Sequence, residues 1–231
     1  SLLMEMLSLD VAKRASTFTI LEVLYQIILP KELNKDQQDI YDKSLKLLNG
    51  IDGIYDTNEA RDSFEHLCLE TKLECPDPVY QLAQCFFYGY GTDKNIIQAI
   101  RLLRIASRKH HVKSMILLAF CYQYGIGVEK DLFSAIQLLS IVQNHDQEAS
   151  FLLGHEYYNS SILEMEAKTI GKQSKVAVKR DYELAFHYFL QAKNFPPAQN
   201  YLGLCYLNGY GTKKDLFEAY KYFKLSADGG Y

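Results

Sequence analysis

"CYLNGYGTKKDLFEAYKYF" (Cys205–Phe223) restates, with substitutions, the earlier "CFFYGYGTDKNIIQAIRLL" (Cys85–Leu103). Each copy carries aromatic residues, a Gly-x-Gly, a charged pair and an amphipathic run. A phosphate-cradling glycine loop needs four residues between its glycines, then Gly-Lys-Ser/Thr, after a buried strand. Here the spacing is wrong, a helical pattern precedes the glycines, and the element recurs. The glycines therefore read as structural punctuation.

Working outward, four segments align: "LAQCFFYGYG" from Leu82, "LAFCYQYGIG" from Leu118, "LGHEYYNSS" from Leu153 and "LGLCYLNGYG" from Leu202. A pair with at least one charge follows in each, at Asp93-Lys94, Lys130-Asp131, Arg180-Asp181 and Lys214-Asp215. A second apolar run then places Ala99, Ala135, Ala185 and Ala219 in register. The alanine spacing is about 36 residues from Ala99 to Ala135 and about 34 from Ala185 to Ala219, the period of helix-pair repeats. Between Ala135 and Ala185 it is about 50, so the third unit holds an insertion of about 14 residues, assigned to 159–180.

Each unit reads as two helices. Leu118, Ala119 and Tyr122 share one face of the first, and Ala135, Leu138 and Leu139 one face of the second. The small residue lets the paired helices approach closely. Gly-x-Gly supplies a helix stop and permits positive φ. Asp131, Asp181 and Asp215 fall near the start of the second helix, where a carboxylate meets free N–H groups. Pro76-Asp77-Pro78 reads as a helix start, with Asp77 as cap and Pro78 at the first position.

The pattern Ala-x-x-Leu-Gly-x-x-Tyr-x-x-Gly-x-Gly, charged pair, Ala, aromatic, Ala resembles the Sel-one-like repeat, a relative of the tetratricopeptide repeat. "AQNYLGLCYLNGYGTKKDLFEAYKYFKLSADGG" (Ala198–Gly230) matches best, and the units from Pro78 and Ser114 match well. The unit from Ala149 departs by lacking its Gly-x-Gly. The resemblance covers residues 76–231 and implies an all-α, right-handed superhelical solenoid of antiparallel helix pairs. Upstream, 36–75 reads as a decayed unit, with Asn49-Gly50 and Asp52-Gly53 where the glycine turn belongs and Ala60 in the place of Ala99. Residues 1–35 are expected to form a helical cap, with Leu2–Leu29 as one or two helices. The insertion, "NSSILEMEAKTIGKQSKVAVKR" (Asn159–Arg180), reads equally as a flexible loop or a lengthened helix, and it opens with the sequon Asn159-Ser160-Ser161.

The first helices of such a solenoid line its concave side. By the tetratricopeptide analogy the groove receives Tyr80, Gln84, Phe87 and Tyr88 from the first unit. The second contributes Ile116, Phe120, Gln123 and Tyr124. Phe151, His155 and Tyr158 follow from the third, then Asn200, Leu204, Leu207 and Asn208 from the fourth. This set is aromatic, apolar and amide-bearing, with no charge beyond His155, as suits a peptide or helix partner. The opposing reading is that tight winding buries some of these residues between units.

Composition narrows the function classes. A hydrophobic share of 48% and a charged share of 23% fit a globular chain of 231 residues, and 18 Tyr with no Trp is unusual. A net charge of -3 gives no electrostatic case for nucleic acid. The longest apolar stretch, Phe18–Leu29, is too short for a membrane span and carries Glu22 and Gln26. The opening residues are not a signal peptide, and the chain, which begins on Ser, is expected to be a fragment. Five cysteines, Cys68, Cys75, Cys85, Cys121 and Cys205, form no Cys-x-x-Cys. Three of them recur at one repeat position, so packing is expected rather than pairing. Secreted bacterial members of the family carry cysteine pairs within each repeat, and this chain does not. A reducing compartment follows, with a cytoplasmic location expected and the ER lumen open if a longer chain has a signal peptide.

No catalytic constellation, cofactor site or metal site is expected. "HEYY" (His155–Tyr158) lacks the second His of a zinc motif, and neither a Gly-x-Ser-x-Gly nor a Cys–His arrangement occurs. The expected function is a non-catalytic protein–protein interaction module: an adaptor, scaffold or regulatory subunit. The resemblance implies roles such as those of similar arrays in ER ubiquitin ligases, chitin-synthase activation or signalling assemblies. The alternative is the non-catalytic arm of a larger enzyme, or a cell-wall-acting enzyme of the cysteine-rich type. Self-association stands as a third role.

Overall fold

The structure, a computed structural model, describes residues 31–51, 55–159, 163–169, 172–178 and 181–231. The expected cap at Leu2–Leu29 and the Asp52-Gly53 step lie outside the described residues. Ten helices are described, arranged as five consecutive pairs. They are α1 (Lys35–Asn49) with α2 (Thr57–Glu70), α3 (Pro76–Tyr88) with α4 (Ile96–Arg108), and α5 (Val112–Tyr124) with α6 (Leu132–Val142). The series continues with α7 (Gln147–Asn159) and α8 (Tyr182–Gln191), then α9 (Pro196–Asn208) and α10 (Leu216–Asp228). Each helix packs on its partner, and the second helix of each pair packs on the first of the next, which is the α-solenoid expected from the repeats.

One small set of backbone bonds builds every turn. In three pairs the first glycine, Gly89, Gly125 or Gly209, adopts positive φ and donates its N–H to the carbonyl of Cys85, Cys121 or Cys205. The chain then clasps back, with the N–H of Asn95, Asp131, Asp181 and Asp215 donating to the carbonyls of Phe86, Tyr122, Tyr157 and Tyr206. The same residues start the second helices, their side-chain oxygens accepting from backbone N–H groups one turn in. The turn from α1 to α2 uses the same two devices, Gly50 donating to Lys46 and Asp56 to Leu47.

The second glycine of each Gly-x-Gly does a different task. A Cβ on Gly91 would lie 2.1 Å from the Thr57 carbonyl oxygen, and one on Gly211 would lie 2.1 Å from that of Tyr182. On Gly127 it would meet the Ile96 side chain at 2.3 Å. Thr57, Ile96 and Tyr182 each open the second helix of the preceding pair, so these glycines form the seam between neighbouring pairs. The third unit has no such glycine, and there Tyr157 packs against Leu132 instead.

Within pairs, Ala60, Ala99, Ala135, Ala185 and Ala219 are all buried. Three successive buried clusters follow along the array, one with Phe64 and Leu103, one with Leu139 and Leu153 and one with Phe189 and Leu202. Two sequence readings are corrected. The insertion is neither a loop nor a lengthened helix, because Leu163–Thr169 and Lys172–Val178 pair as an antiparallel hairpin, from Leu163↔Val178 to Thr169↔Lys172. The solenoid tolerates it because the Asp181–Tyr157 clasp closes beneath it. Asp77 is not a cap: α3 starts at Pro76 with Cys75 in the cap position. The Asp77 carboxylate turns instead to His111, with Oδ1 3.2 Å from Nε2.

Candidate functional site

Three first helices, α3, α5 and α7, line a cleft of about 460 Å³. Its wall takes Tyr80 and Tyr88 from α3 and Ile116, Leu117 and Phe120 from α5, with Leu152 from α7. At the N-terminal ends of these helices stand Lys113, Asp146 and Glu148. Four sequence-derived residues, Tyr80, Tyr88, Ile116 and Phe120, thus come together on one face. Tyr88 is 42% exposed and Phe120 37%, so both rings offer contact area to an incoming chain. Ile116, at 6%, is the cleft floor.

Local bonds hold this wall. Gln84 donates from Nε2 to the Tyr80 hydroxyl at 2.9 Å. The Tyr80 ring also leans on His111, with centroids 4.9 Å apart. His111 in turn caps α5, its Nδ1 accepting from the Ser114 N–H at 3.2 Å. Burial, then the neighbouring Tyr88 and Glu148, push the Tyr80 hydroxyl up to about 12, so it remains protonated at neutral pH. The Phe120 ring packs on Tyr124 at 4.6 Å and the Tyr88 ring on Tyr90 at 5.4 Å.

Other sequence-derived residues have different surroundings. Gln123 is buried and donates to Glu156 of α7, tying the third pair to the fourth. This corrects its placement in the groove: Glu156 replaces the cysteine of the other units, and a buried carboxylate requires a donor. Phe87 packs partly against the core shared by the first two pairs, beside Tyr88. Phe151 sits among Phe189, Phe195 and Tyr201, and Tyr158 among Tyr182, Phe189, Tyr201 and Tyr210, with centroids 5.2 to 6.1 Å apart. His155 lies against Phe151 and Tyr201. In the third unit the winding therefore packs the expected groove residues against the fourth. Burial pushes the Tyr158 hydroxyl up to about 12. Asn200, Leu204, Leu207 and Asn208 lie on α9, away from the cleft, and Asn208 bonds back to the Leu204 carbonyl at 3.0 Å.

Sequence reasoning missed Lys113, Leu117, Asp146, Glu148 and Leu152. The expectation of an uncharged groove is corrected by the three charged groups. The available signal was position: these charges precede or open first helices, a turn before the aromatic residues that the analogy selected. Desolvation raises the Glu148 carboxyl above its ordinary value, Asp146 adds to the rise, and Lys113 opposes it. Asp146 accepts from the Glu148 N–H at 2.7 Å and so is engaged with the start of α7.

The cysteines pack. All five are buried unpaired thiols. Burial pushes Cys85 and Cys121 up to about 11 and Cys68 and Cys205 up to about 12, which leaves them unreactive at neutral pH. Among the described residues no group of three or more His, Cys, Asp and Glu could hold a metal ion, and no helix is long and apolar enough to cross a membrane.

No characterised protein matches the sequence significantly. Among solved structures, a Sel1 repeat protein from Oxalobacter formigenes is 21% identical with a TM-score of 0.67, over 85% of this chain and 75% of its own. A protective antigen of uropathogenic Escherichia coli with an SLR fold is 18% identical with a TM-score of 0.67, over 84% of this chain. This chain spans 38% of the length of that antigen. At such identities the likeness concerns the fold. The Sel1 repeat model matches residues 79–111, 112–141, 173–194 and 196–231, more than half of the sequence. With these four matches on the helix-pair units described above, three of them turned by Gly-x-Gly, the chain belongs to the Sel1 repeat family.

Proposed function

We propose that this chain is a non-catalytic interaction module that holds a peptide or helical segment of a partner protein against its first helices, as an adaptor, scaffold or regulatory subunit. The observation that carries the reading is the cleft across α3, α5 and α7, where Tyr88 and Phe120 leave ring surface open above Ile116. Large rigid rings bordering an apolar floor are the usual anchors of protein recognition. The family assignment supports the same role, since solenoids use such surfaces to bind partners. The buried unpaired thiols support a reducing compartment, and a cytoplasmic site of action is part of the proposal.

Affinity capture with the wild-type chain and with a Tyr88→Ser, Phe120→Ser variant, read by mass spectrometry, tests the reading. Partners lost by the variant at unchanged helical content support it. Identical captured sets for both proteins contradict it.

A further inference from the structure

The cleft is chemically two-ended. Tyr88 and Phe120 stand at the C-terminal ends of α3 and α5, whereas Asp146 and Glu148 stand at the start of α7. The two carboxylates are not equivalent. Asp146 accepts from two backbone N–H groups of α7, so much of its charge is answered by the helix N-terminus. The Glu148 carboxylate has no hydrogen bond and no ion pair among the described residues. Lys113 is the one cation lining the cleft, and it forms no salt bridge among the described residues. This end therefore holds two carboxylates and one ammonium, and of the carboxylates only Glu148 has its oxygens unengaged by backbone N–H groups, beside Tyr80.

We infer that the occupant of the cleft is a peptide segment with an apolar anchor side chain and a Lys or Arg, the anchor packing on Ile116 and Phe120 and the cationic head meeting Glu148. This rests on the groove reading above and adds charge selectivity to it. A cation at Glu148 supplies the direct ion pair that Lys113, which attracts this carboxylate only at longer range, does not make. An acidic segment meets two carboxylates against one ammonium and is disfavoured.

The test uses an array of immobilised synthetic octapeptides of random composition, probed with the full 231-residue chain. Three proteins are compared: wild type, Glu148→Lys and Phe120→Ser, each checked for unchanged helical content. The expected result is enrichment of Lys or Arg beside apolar residues among wild-type binders. For those peptides Glu148→Lys weakens binding by about tenfold or more, the scale of a charge pair at an interface rim. Glu148→Lys also shifts the selected set towards Asp and Glu. Binders that Phe120→Ser loses but that show no basic enrichment and no response to Glu148→Lys overturn this inference and leave the groove reading standing. An array on which no peptide is bound in a Phe120-dependent way removes both.

Discussion

Gly91 lies flush against the Thr57 carbonyl, so that any Cβ at position 91 would stand 2.1 Å from that oxygen. Gly89, two residues earlier, meets only the flexible side chain of Lys94 at 3.0 Å and the Thr92 carbonyl at 3.4 Å. One glycine stops a helix and the other joins two repeats. Their equivalents in the last turn, Gly209 and Gly211, differ in the same way.

The two glycines should therefore respond differently to one methyl group. Gly209→Ala carries mainly the cost of a left-handed backbone, about 1–2 kcal/mol. Gly211→Ala adds a collision with the Tyr182 backbone and should cost more than about 3 kcal/mol. Urea unfolding of both variants checks this, and equal losses contradict the seam assignment.

Small and large residues alternate across the pairs. Gly154 faces the Phe189 ring, where a Cβ would lie 2.7 Å from the nearest ring atoms, and Gly203 faces Phe223 at 2.6 Å. The first two units hold Ala83 with Leu103 and Ala119 with Leu139 at the equivalent positions. Gly154→Ala alone should destabilise by about 1–3 kcal/mol through overpacking. Adding Phe189→Leu should restore part of that loss, giving a favourable coupling of about 1 kcal/mol in a double-mutant cycle. Strict additivity contradicts the pairing.

The solenoid was legible because its devices recur: a glycine turn, a cap and a buried alanine, each at a fixed offset. The groove was legible only in part. Tyr80, Tyr88, Ile116 and Phe120, named because they project from first helices on the side opposite Leu82 and Leu118, share the lining of one cleft. Gln123 was misplaced because its burial depends on Glu156, a substitution peculiar to the third unit. Phe151 and Tyr158 were assigned to the groove, but their rings pack among Phe189, Tyr201 and, for Tyr158, the Tyr182–Tyr210 stack at 4.2 Å, contacts between two units that the pattern of one helix does not show. The hairpin was hidden because Leu163–Val178 mixes charges with apolar residues and lacks a two-residue turn signal.

The thiols supply a chemical test of the packed interior. With Cys85 and Cys121 near 11 and Cys68 and Cys205 near 12, thiolate is scarce at pH 8 and burial blocks access. A thiol-specific chromogenic reagent at pH 8 should label these four slowly in the native chain. In denaturant without reductant it should count all 5 cysteines. Fast native labelling of Cys85, or a lower denatured count, contradicts the account.

Glu148 links the cleft to stability. Its folded pKa lies above the ordinary carboxylate value, so the folded state binds the proton more tightly than the unfolded one. Stability from this group is therefore full below the unfolded value and lost as pH rises through the folded one. The group is exposed, so the effect is small. Glu148→Gln should match or exceed wild type by up to about 0.5 kcal/mol at pH 7, with no advantage below about pH 4. Thermal melts at both pH values check it, and a variant less stable at pH 7 contradicts the sign.

The central claim is that partners dock on the first-helix cleft, and site-specific photocrosslinking tests it most directly. A photoreactive phenylalanine analogue at Phe120 reports on the cleft, and the same analogue at Ile97, exposed on α4, is the control. The account predicts partner adducts from position 120, suppressed by the Tyr88→Ser substitution, and few from position 97. Adducts of the same partners at equal yield from both positions, or from position 97 alone, would contradict it.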